Sequence, residues 1–137
     1  MSERLFLLDT SALLTWLEGE EGTERVRELL QGADEVLVPW PVLMEAYYTT
    51  ARIRGHDVAL RRYAAVKRLP VTFLEQIEEP VLLTAARIKA DYRVSIADAM
   101  IAAYAQRWDA VLIHKDPEYE ALAEIVSLEA LPYKRPD

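Results

Sequence analysis

Hydrophobic residues form two alternating patterns along the chain. Short continuous runs rich in Val, Ile, Leu and Phe are typical of strands buried on both faces, and they lie at residues 4–8, 35–38, 71–74, 110–113 and 125–128. Segments with helical spacing lie between them, at residues 11–17, 23–31, 41–54, 57–68, 80–91, 95–107 and, as a short one, 117–123. This alternation predicts an α/β fold in which helices sandwich a parallel sheet.

The predicted helix ends agree with this division. Pro41 suits the first turn of a helix, Ser95 and Asp98 resemble a capping box, and Gly55 separates two helices. No internal repeat or Pro/Ser-rich linker interrupts the pattern. We therefore expect a single domain over residues 1–137.

Composition narrows the class of protein. Of the 137 residues, 52% are hydrophobic and 28% charged, which is typical of a globular domain with one core. The chain has no Cys, which excludes disulfides, a thiolate zinc site and a cysteine nucleophile. No apolar run approaches the roughly 20 residues that span a bilayer, and the first residues lack a signal-peptide pattern. We expect a cytoplasmic protein with no membrane association.

The net charge of −7 is unevenly distributed. Residues 1–50 carry −7 and residues 69–137 carry −5, whereas residues 51–68 carry +5. Such a basic segment can bind the phosphates of a nucleic acid, although a solvated helical face is an equally common explanation. Its basic residues are Arg52, Arg54, Arg61, Arg62, Lys67 and Arg68.

Four carboxylates occupy positions that favour a functional site. Asp9 and Asp116 follow the first and fourth apolar runs, so both are expected beyond the carboxyl ends of parallel strands, where α/β sheets bind ligands. Glu45 lies early in the helix after the second strand, near the same edge. Asp98 is the only charge in an otherwise apolar helical segment, residues 95–105, which is typical of a buried helix.

A cation is expected among these acids. Burying a carboxylate costs several kcal/mol unless a partner compensates, and two carboxylates about 6 Å apart repel by roughly 3 kcal/mol at an effective dielectric constant of 20. Oxygen ligands without Cys or a suitably spaced His pair favour Mg²⁺ or Mn²⁺ over Zn²⁺. Such an ion can activate water for attack on a phosphodiester.

Each acid also has a local explanation. Asp9 can cap the following helix, Asp98 can be a capping-box acid, and Asp116 before Pro117 is a common turn pair. Glu45 can form a salt bridge at the rim of the fold. Four such coincidences at one edge are less expected than one shared site.

At these residues the chain resembles the PIN domain family, and in particular its VapC-type toxins. The similar segments are residues 7–13, 41–46, 95–103 and 115–119, and the acids they carry are separated by 36, 53 and 18 residues. The resemblance covers nearly the whole chain.

The resemblance implies a five-stranded parallel sheet in an α/β/α sandwich, a Mg²⁺- or Mn²⁺-dependent endoribonuclease, and an antitoxin partner whose tail blocks the site. It implies that the metal is held chiefly by Asp9 and Asp98. On this interpretation Asp116 completes the metal site, as a direct ligand or in its outer shell, and Glu45 orients a metal-bound water. The catalytic set is thus Asp9, Glu45, Asp98 and Asp116, supported by the hydroxyls of Ser11 and Ser95.

One position departs from the family pattern. Where members often carry Thr or Ser two residues before the last acid, this chain has His114. The departure leaves the hydrogen bonding around Asp116, and the number of metal ions, open.

Two other functions remain alternatives. One is a catalytically silent PIN-like module that regulates by binding. The other is a receiver-like phosphoacceptor, for which Lys115 beside an acid is suitable, but that class expects an acceptor Asp after a middle strand, and here Glu75 and Gln76 follow the third run.

Aromatic residues on the early helices predict an interface. Tyr47 and Tyr48 are adjacent and point about 100° apart, so both cannot face one sheet equally well. We expect part of this surface to form a homodimer or to receive an antitoxin helix, with internal packing as the alternative. The residues concerned are Trp16, Trp40, Tyr47, Tyr48 and Tyr63.

Overall fold

A five-stranded, all-parallel sheet forms the centre of the protein. The structure is a computed structural model that describes residues 4–136. The strands lie side by side in the order β3-β2-β1-β4-β5. Their bounds are β1 Leu5–Leu8, β2 Glu35–Pro39, β3 Thr72–Leu74, β4 Val111–His114 and β5 Leu128–Ala130.

Helices connect these strands. Among residues 4–136, no helix has the length and apolar character needed to cross a membrane. The bounds are α1 Thr10–Glu18, α2 Thr23–Gln31, α3 Trp40–Arg54, α4 His56–Val66, α5 Glu79–Asp91 and α6 Ile96–Trp108, with a 3₁₀ helix at Pro117–Leu122.

The three middle strands are covered on both faces. In β1, β2 and β4 consecutive residues are buried, not alternate ones, so apolar side chains on each face pack against helices. Leu7, Leu37 and Leu112 are at most 2% exposed. The predicted α/β/α sandwich with a five-stranded parallel sheet is confirmed.

The side of β1 on which new strands are added to the sheet changes between β3 and β4. From β1 the chain proceeds to β2 and β3 on one side, then returns to add β4 and β5 on the other. In sheets of this kind the crevice at such a reversal, beyond the carboxyl ends of the strands, is where ligands bind. Asp9 leaves β1 at this point, and its backbone N–H still donates to the Ile113 carbonyl of β4 at 3.1 Å.

Local signals set the helix starts as expected. Pro41 lies in the first turn of α3, and the Ser95 hydroxyl caps α6 by accepting the Asp98 backbone N–H at 3.1 Å. Gly55 ends α3 and starts α4 with φ of 90°, a value that favours glycine. The α4 helix ends at Val66, which leaves Lys67 and Arg68 of the predicted helix outside it.

The fifth strand lies later than predicted. Ile125 and Val126 belong to the turn after the 3₁₀ helix, where both backbone N–H groups donate to the Leu122 carbonyl. The strand pairs instead from Leu128, opposite Leu112, to Ala130, opposite His114. Val126 is still 4% exposed, so a residue of the turn supplies core volume, which is why the apolar run resembled a strand.

Candidate metal centre at the carboxyl edge of the sheet

Asp9 is the buried acid of the site. It is 3% exposed and caps α1, since its Oδ1 accepts the Ala12 backbone N–H at 2.7 Å. The Ser11 hydroxyl lies 2.7 and 2.8 Å from the two carboxylate oxygens. Asp9 therefore has its predicted local role as a helix cap and also lies at the reversal point of the sheet.

Ser11 joins the two central strands at this edge. While its hydroxyl donates to Asp9, the same oxygen accepts the Lys115 backbone N–H at 2.9 Å. Lys115 directly follows β4, and Ser11 is in the first turn after β1. The predicted supporting role of Ser11 thus has a geometric basis, because one hydroxyl fixes both the carboxylate and the strand end beside it.

Glu45 approaches from α3. Its Oε1 accepts the Thr10 hydroxyl at 2.5 Å and its Oε2 accepts the Tyr48 hydroxyl at 3.3 Å. It forms no salt bridge with residues 4–136. The explanation of Glu45 as a salt-bridge residue at the rim of the fold therefore does not hold.

Asp98 enters from the first turn of α6. It is half-buried, and its Oδ1 accepts the hydroxyl of Tyr119 at 3.0 Å. Its backbone N–H bonds to Ser95, as a capping residue requires. The carboxylate itself is directed to Tyr119, a partner 21 residues away, and so has a role beyond local capping.

Three carboxylates converge on the crevice. One oxygen each from Asp98, Asp116 and Glu118 lies within 4.8 Å of the other two. Asp116 also caps the 3₁₀ helix, because its Oδ1 accepts the Glu118 backbone N–H at 2.9 Å. All the donors are hard oxygen atoms, which suit Mg²⁺ or Mn²⁺. The residues present therefore fit a divalent cation.

Burial and the repulsion between neighbouring carboxylates raise the pKa values of Asp9 and Asp98. The pKa of Asp9 is raised from 3.8 to about 7, chiefly by burial and also by the charges of Asp98 and Asp116, whereas the hydrogen bonds from Ala12 and Ser11 act in the opposite direction. Burial also raises the pKa of Asp98 to about 6, with the charges of Glu45 and Asp116 acting in the same direction. A bound cation would reverse both shifts, so the site is electrostatically matched to one.

His114 takes the place of the family's hydroxyl. It is 1% exposed, and its Nδ1 accepts the Asp116 backbone N–H at 3.2 Å. Burial lowers the pKa of His114, so the ring is neutral and its proton lies on Nε2. At the position that departs from the family pattern, a ring nitrogen of His114 therefore accepts a hydrogen bond from the Asp116 backbone.

Sequence reasoning did not assign four residues that the structure brings to the site. Thr10 and Tyr48 hold Glu45, Tyr119 holds Asp98, and Glu118 joins the carboxylate cluster. Thr10 and Glu118 had a signal in the sequence, because each lies within two residues of a predicted site acid. Tyr48 had the helical spacing of three from Glu45, whereas nothing local linked Tyr119 to Asp98.

Comparison with known proteins identifies this architecture. The family model of the PIN domain matches residues 6–125. The chain belongs to the PIN domain family. A search of curated proteins found no match, so the relatives of this PIN domain come from solved structures.

Chains of VapBC toxin–antitoxin systems share the fold. A chain of VapBC2 from Rickettsia felis, solved with a DNA fragment of its promoter, has a TM-score of 0.76 and 13% identity, covering 93% of this chain and 99% of that chain. DNA-bound VapBC from Salmonella typhimurium gives 0.73 and 19%, covering 94% and 98%. VapC20 from Mycobacterium tuberculosis, a toxin that cleaves the sarcin–ricin loop, gives 0.70 and 18%, covering 96% and 99%.

The basic segment of this PIN domain is largely engaged in internal contacts. Arg54 and Arg62 both pair with Glu18 of α1, and Lys67 pairs with Glu75 at 2.8 Å. Arg52 lies 4.8 Å above the Tyr48 ring, which places it next to the site. The predicted RNA contacts remain a prediction, and ion pairing limits which cations are available for it.

Two exposed residues of the basic segment have neither an ion pair nor a stacked ring as a partner among residues 4–136. Arg61 and Arg68 form no ion pair with residues 4–136. They lie on and just after α4. These two residues and Arg52 are the strongest candidates for phosphate contacts.

The aromatic residues of the predicted interface differ in how exposed they are. Trp16 and Trp40 are half-buried and pack against the core. Tyr48 and Tyr63 are 36% and 41% exposed, and they line a groove of about 440 Å³ between α3 and α4. The other residues of this α3–α4 groove are Trp40, Leu43, Met44, Tyr47, Lys67 and Glu75.

Lys115 is not directed at the acids. Its side chain is 4% exposed, and the ammonium group donates to the Glu21 carbonyl at 2.6 Å. A receiver-like phosphoacceptor would need this lysine in the acidic pocket. Its position against the loop between α1 and α2 removes the main argument for that alternative.

Proposed function

We propose that this PIN domain is a metal-dependent endoribonuclease and the toxin of a toxin–antitoxin pair. The observation that carries the proposal is the convergence of Asp98, Asp116 and Glu118 to within 4.8 Å, with buried Asp9 in the adjoining strand end. Like charges gathered at an energetic cost are typical of a functional site, not of a stabilising one. The proposal places the protein in the cytoplasm, where its RNA substrate would be.

Each residue of the site has its own role in the proposed phosphodiester hydrolysis. A bound Mg²⁺ or Mn²⁺ would neutralise the phosphate and lower the pKa of water. Asp98, Asp116 and Glu118 would supply oxygen ligands, and Asp9, which was predicted as a principal ligand, lies close enough to Asp98 and Asp116 for their charges to raise its pKa. Glu45, held by Thr10 and Tyr48, is positioned to orient the attacking water.

Hydrolysis of this kind leaves defined ends. Because water and not the ribose 2′-hydroxyl attacks phosphorus, the products carry 5′-phosphate and 3′-hydroxyl groups. The test is incubation of single-stranded and structured RNAs with Mg²⁺, with Mn²⁺ and with EDTA, followed by end-group analysis of the fragments. Asp98→Asn protein purified in parallel controls for contaminating nuclease.

Each outcome has a clear meaning. Metal-dependent cleavage with 5′-phosphate ends, absent from Asp98→Asn, supports the proposal. Cleavage that persists in EDTA, or fragments with cyclic phosphate ends, contradicts it. Binding of RNA or of a protein partner without any cleavage supports the alternative of a catalytically silent regulatory module.

The antitoxin partner is assigned to the α3–α4 groove. Its exposed residues Met44, Tyr48 and Tyr63 offer an apolar surface suited to an amphipathic helix, and Tyr48 connects the groove directly to Glu45. A basic side chain of the antitoxin extending past Tyr48 would reach the acidic cluster and neutralise it. The VapBC complexes that share this fold are the precedent for such a pair.

Co-purification tests this assignment. The product of the adjacent gene should form a stable complex, abolish cleavage and lose affinity when Met44→Glu is introduced in the groove. A partner that binds but leaves cleavage unchanged at saturation would contradict the antitoxin role while leaving the nuclease proposal intact.

A homodimer is proposed as the free form of the toxin. A second apolar groove, of about 510 Å³, lies between α5 and α6 and includes the exposed residues Ile77, Leu82 and Ile96. Contiguous apolar surface of this kind commonly marks a subunit interface. Light scattering at tens of micromolar should give twice the chain mass of 15.7 kDa, and a monomer would contradict the prediction.

A further inference from the structure

Tyr119 has an unusual hydrogen-bond partner for a buried tyrosine. The residue is 1% exposed, and its hydroxyl donates to Asp98 Oδ1 at 3.0 Å. A buried hydroxyl needs a partner, and a backbone carbonyl would serve for packing alone. Here the partner is a carboxylate of the acidic cluster. Tyr119 therefore links the core to the candidate metal centre.

The position of Tyr119 ties two separate elements together. Asp116 and Glu118, the other two carboxylates of the cluster, lie at the start of the same 3₁₀ helix as Tyr119. Asp98 comes from α6. The Tyr119 hydroxyl is thus a direct connection between the α6 ligand and the helix that carries the other two.

The ring that carries this hydroxyl is itself held in place. Its centroid lies 5.1 Å from that of buried His114, and His114 Nδ1 accepts the Asp116 backbone N–H. One buried aromatic pair therefore sets the Asp116 backbone on one side and the Asp98 carboxylate on the other. A phenol is protonated at neutral pH, so the Tyr119 hydroxyl is the donor in this hydrogen bond.

We propose that Tyr119 is a positioning residue that engages Asp98 Oδ1, leaves Oδ2 for the cation, and thereby favours Mg²⁺ and Mn²⁺ over Ca²⁺. This inference rests on the proposed metal-dependent function. Mg²⁺ requires a small octahedral site with few protein ligands, whereas Ca²⁺ accepts six to eight oxygens and bidentate carboxylates. Restricting Asp98 to one oxygen suits the smaller ion.

The test is Tyr119→Phe, which removes the hydroxyl and keeps the buried ring. Binding of Mn²⁺ is measured by electron paramagnetic resonance, and Mg²⁺ and Ca²⁺ are titrated as competitors. Loss of a hydrogen bond to a metal-binding carboxylate typically costs 10–100-fold in affinity. We expect Mg²⁺ affinity to fall about 10-fold and Ca²⁺ affinity to fall less, so the preference for Mg²⁺ narrows. Melting curves in EDTA show whether the variant is folded.

Tyr133→Phe is the matched control. The Tyr133 hydroxyl also donates to a carboxylate of the 3₁₀ helix, Glu120 Oε2 at 3.1 Å, and its ring lies 6.0 Å from His114. It touches none of the three clustered carboxylates. We expect its metal affinities to match those of the parent protein.

Three results would overturn the inference. They are unchanged Mg²⁺ affinity in Tyr119→Phe, an equal loss for Mg²⁺ and Ca²⁺, and equal effects of the two tyrosine variants. A parent protein that binds metal with the expected selectivity but cleaves no RNA would overturn the proposed nuclease function and leave the role of Tyr119 standing. A parent that binds no divalent ion would overturn both.

Discussion

The acidic edge of the sheet and the basic segment, residues 51–68, differ in whether their charges are paired. At the edge, Asp98, Asp116 and Glu118 lie within 4.8 Å of one another, and no Lys or Arg among residues 4–136 forms an ion pair with them. In the basic segment, Arg54 and Arg62 share Glu18 as a partner.

The difference shows why counting charges does not locate function. Paired charges such as Glu18 with its two arginines connect α1 to α3 and α4, and each charge in this network has an oppositely charged partner. Unpaired like charges raise the free energy of the folded protein, and a bound cation or proton would lower it again. The acidic edge is therefore the candidate site, and three of the six cations in the +5 segment are engaged in ion pairs within the fold.

The largest effect is expected for Asp98→Asn at the acidic edge. The variant removes one of the three converging oxygen ligands, so cleavage should fall at least ~1,000-fold, equivalent to about 4 kcal/mol of activation free energy. Mg²⁺ should no longer raise its melting temperature. Asp91→Asn, an exposed acid at the end of α5, is the control and should retain parent activity. Equal activity of the two variants would contradict a metal site at Asp98.

The next effect is a loss of stability with rising pH in the absence of metal. The pKa of Asp9 is raised to about 7, so the folded protein holds a proton that the unfolded chain releases near pH 4. The stabilisation of the folded protein by the protonated Asp9 carboxyl is therefore fully present below about pH 4 and is lost as the pH rises to 7. Urea unfolding in EDTA should show a fall of about 2 kcal/mol between pH 5 and 7 from Asp9, and Asp98, whose pKa is raised to about 6, should add to this fall.

Two further measurements, one with saturating Mg²⁺ and one on an Asp9 variant, test whether the site carboxylates cause this pH dependence. Mg²⁺ should flatten the pH dependence, because the cation compensates the ionised carboxylates. Asp9→Asn should reduce it without metal, since Asn also caps a helix and does not titrate, and the pH dependence that remains should come from Asp98. A parent protein whose stability rises from pH 5 to 7 in EDTA would contradict the raised pKa.

In the basic segment, Glu18→Gln should lower stability without affecting cleavage. The substitution leaves Arg54 and Arg62 without their shared carboxylate, and the cost should be about 1 kcal/mol because the network is partly solvated. Glu24→Gln, which breaks an exposed pair with Arg27 inside α2, should cost less than about 0.5 kcal/mol. Equal costs in urea unfolding would show that the Glu18 pairs are ordinary surface contacts.

The smallest effect is expected on the salt dependence of RNA binding, where cations without an ion pair should contribute more than paired ones. Arg61→Ala with Arg68→Ala should flatten the log–log salt dependence of RNA binding by about 1.4, or ~0.7 for each phosphate contact on a single strand. Arg54→Ala should leave the slope unchanged, because its guanidinium is paired with Glu18. The reverse result would show that the ion pairs open when RNA binds.

The sequence determined the fold class and the edge of the sheet at which the candidate site lies. Apolar runs alternating with helical spacing specify parallel strands and their order along the chain, and the carboxyl ends of parallel strands share one edge. Asp9 after β1 and Asp116 after β4 therefore had to lie near each other once the sheet formed. Ser95 was equally predictable, because a helix cap is a contact over three residues.

Only the tertiary structure decided which distant side chains meet. Tyr119 reaches Asp98 across 21 residues, and Arg62 reaches Glu18 across 44. Periodicity describes which face a residue occupies, but it carries no information about the side chain on the facing element. For the same reason the position of β5 was wrong, since Val126 is buried by packing from a turn and the strand register depends on pairing with β4.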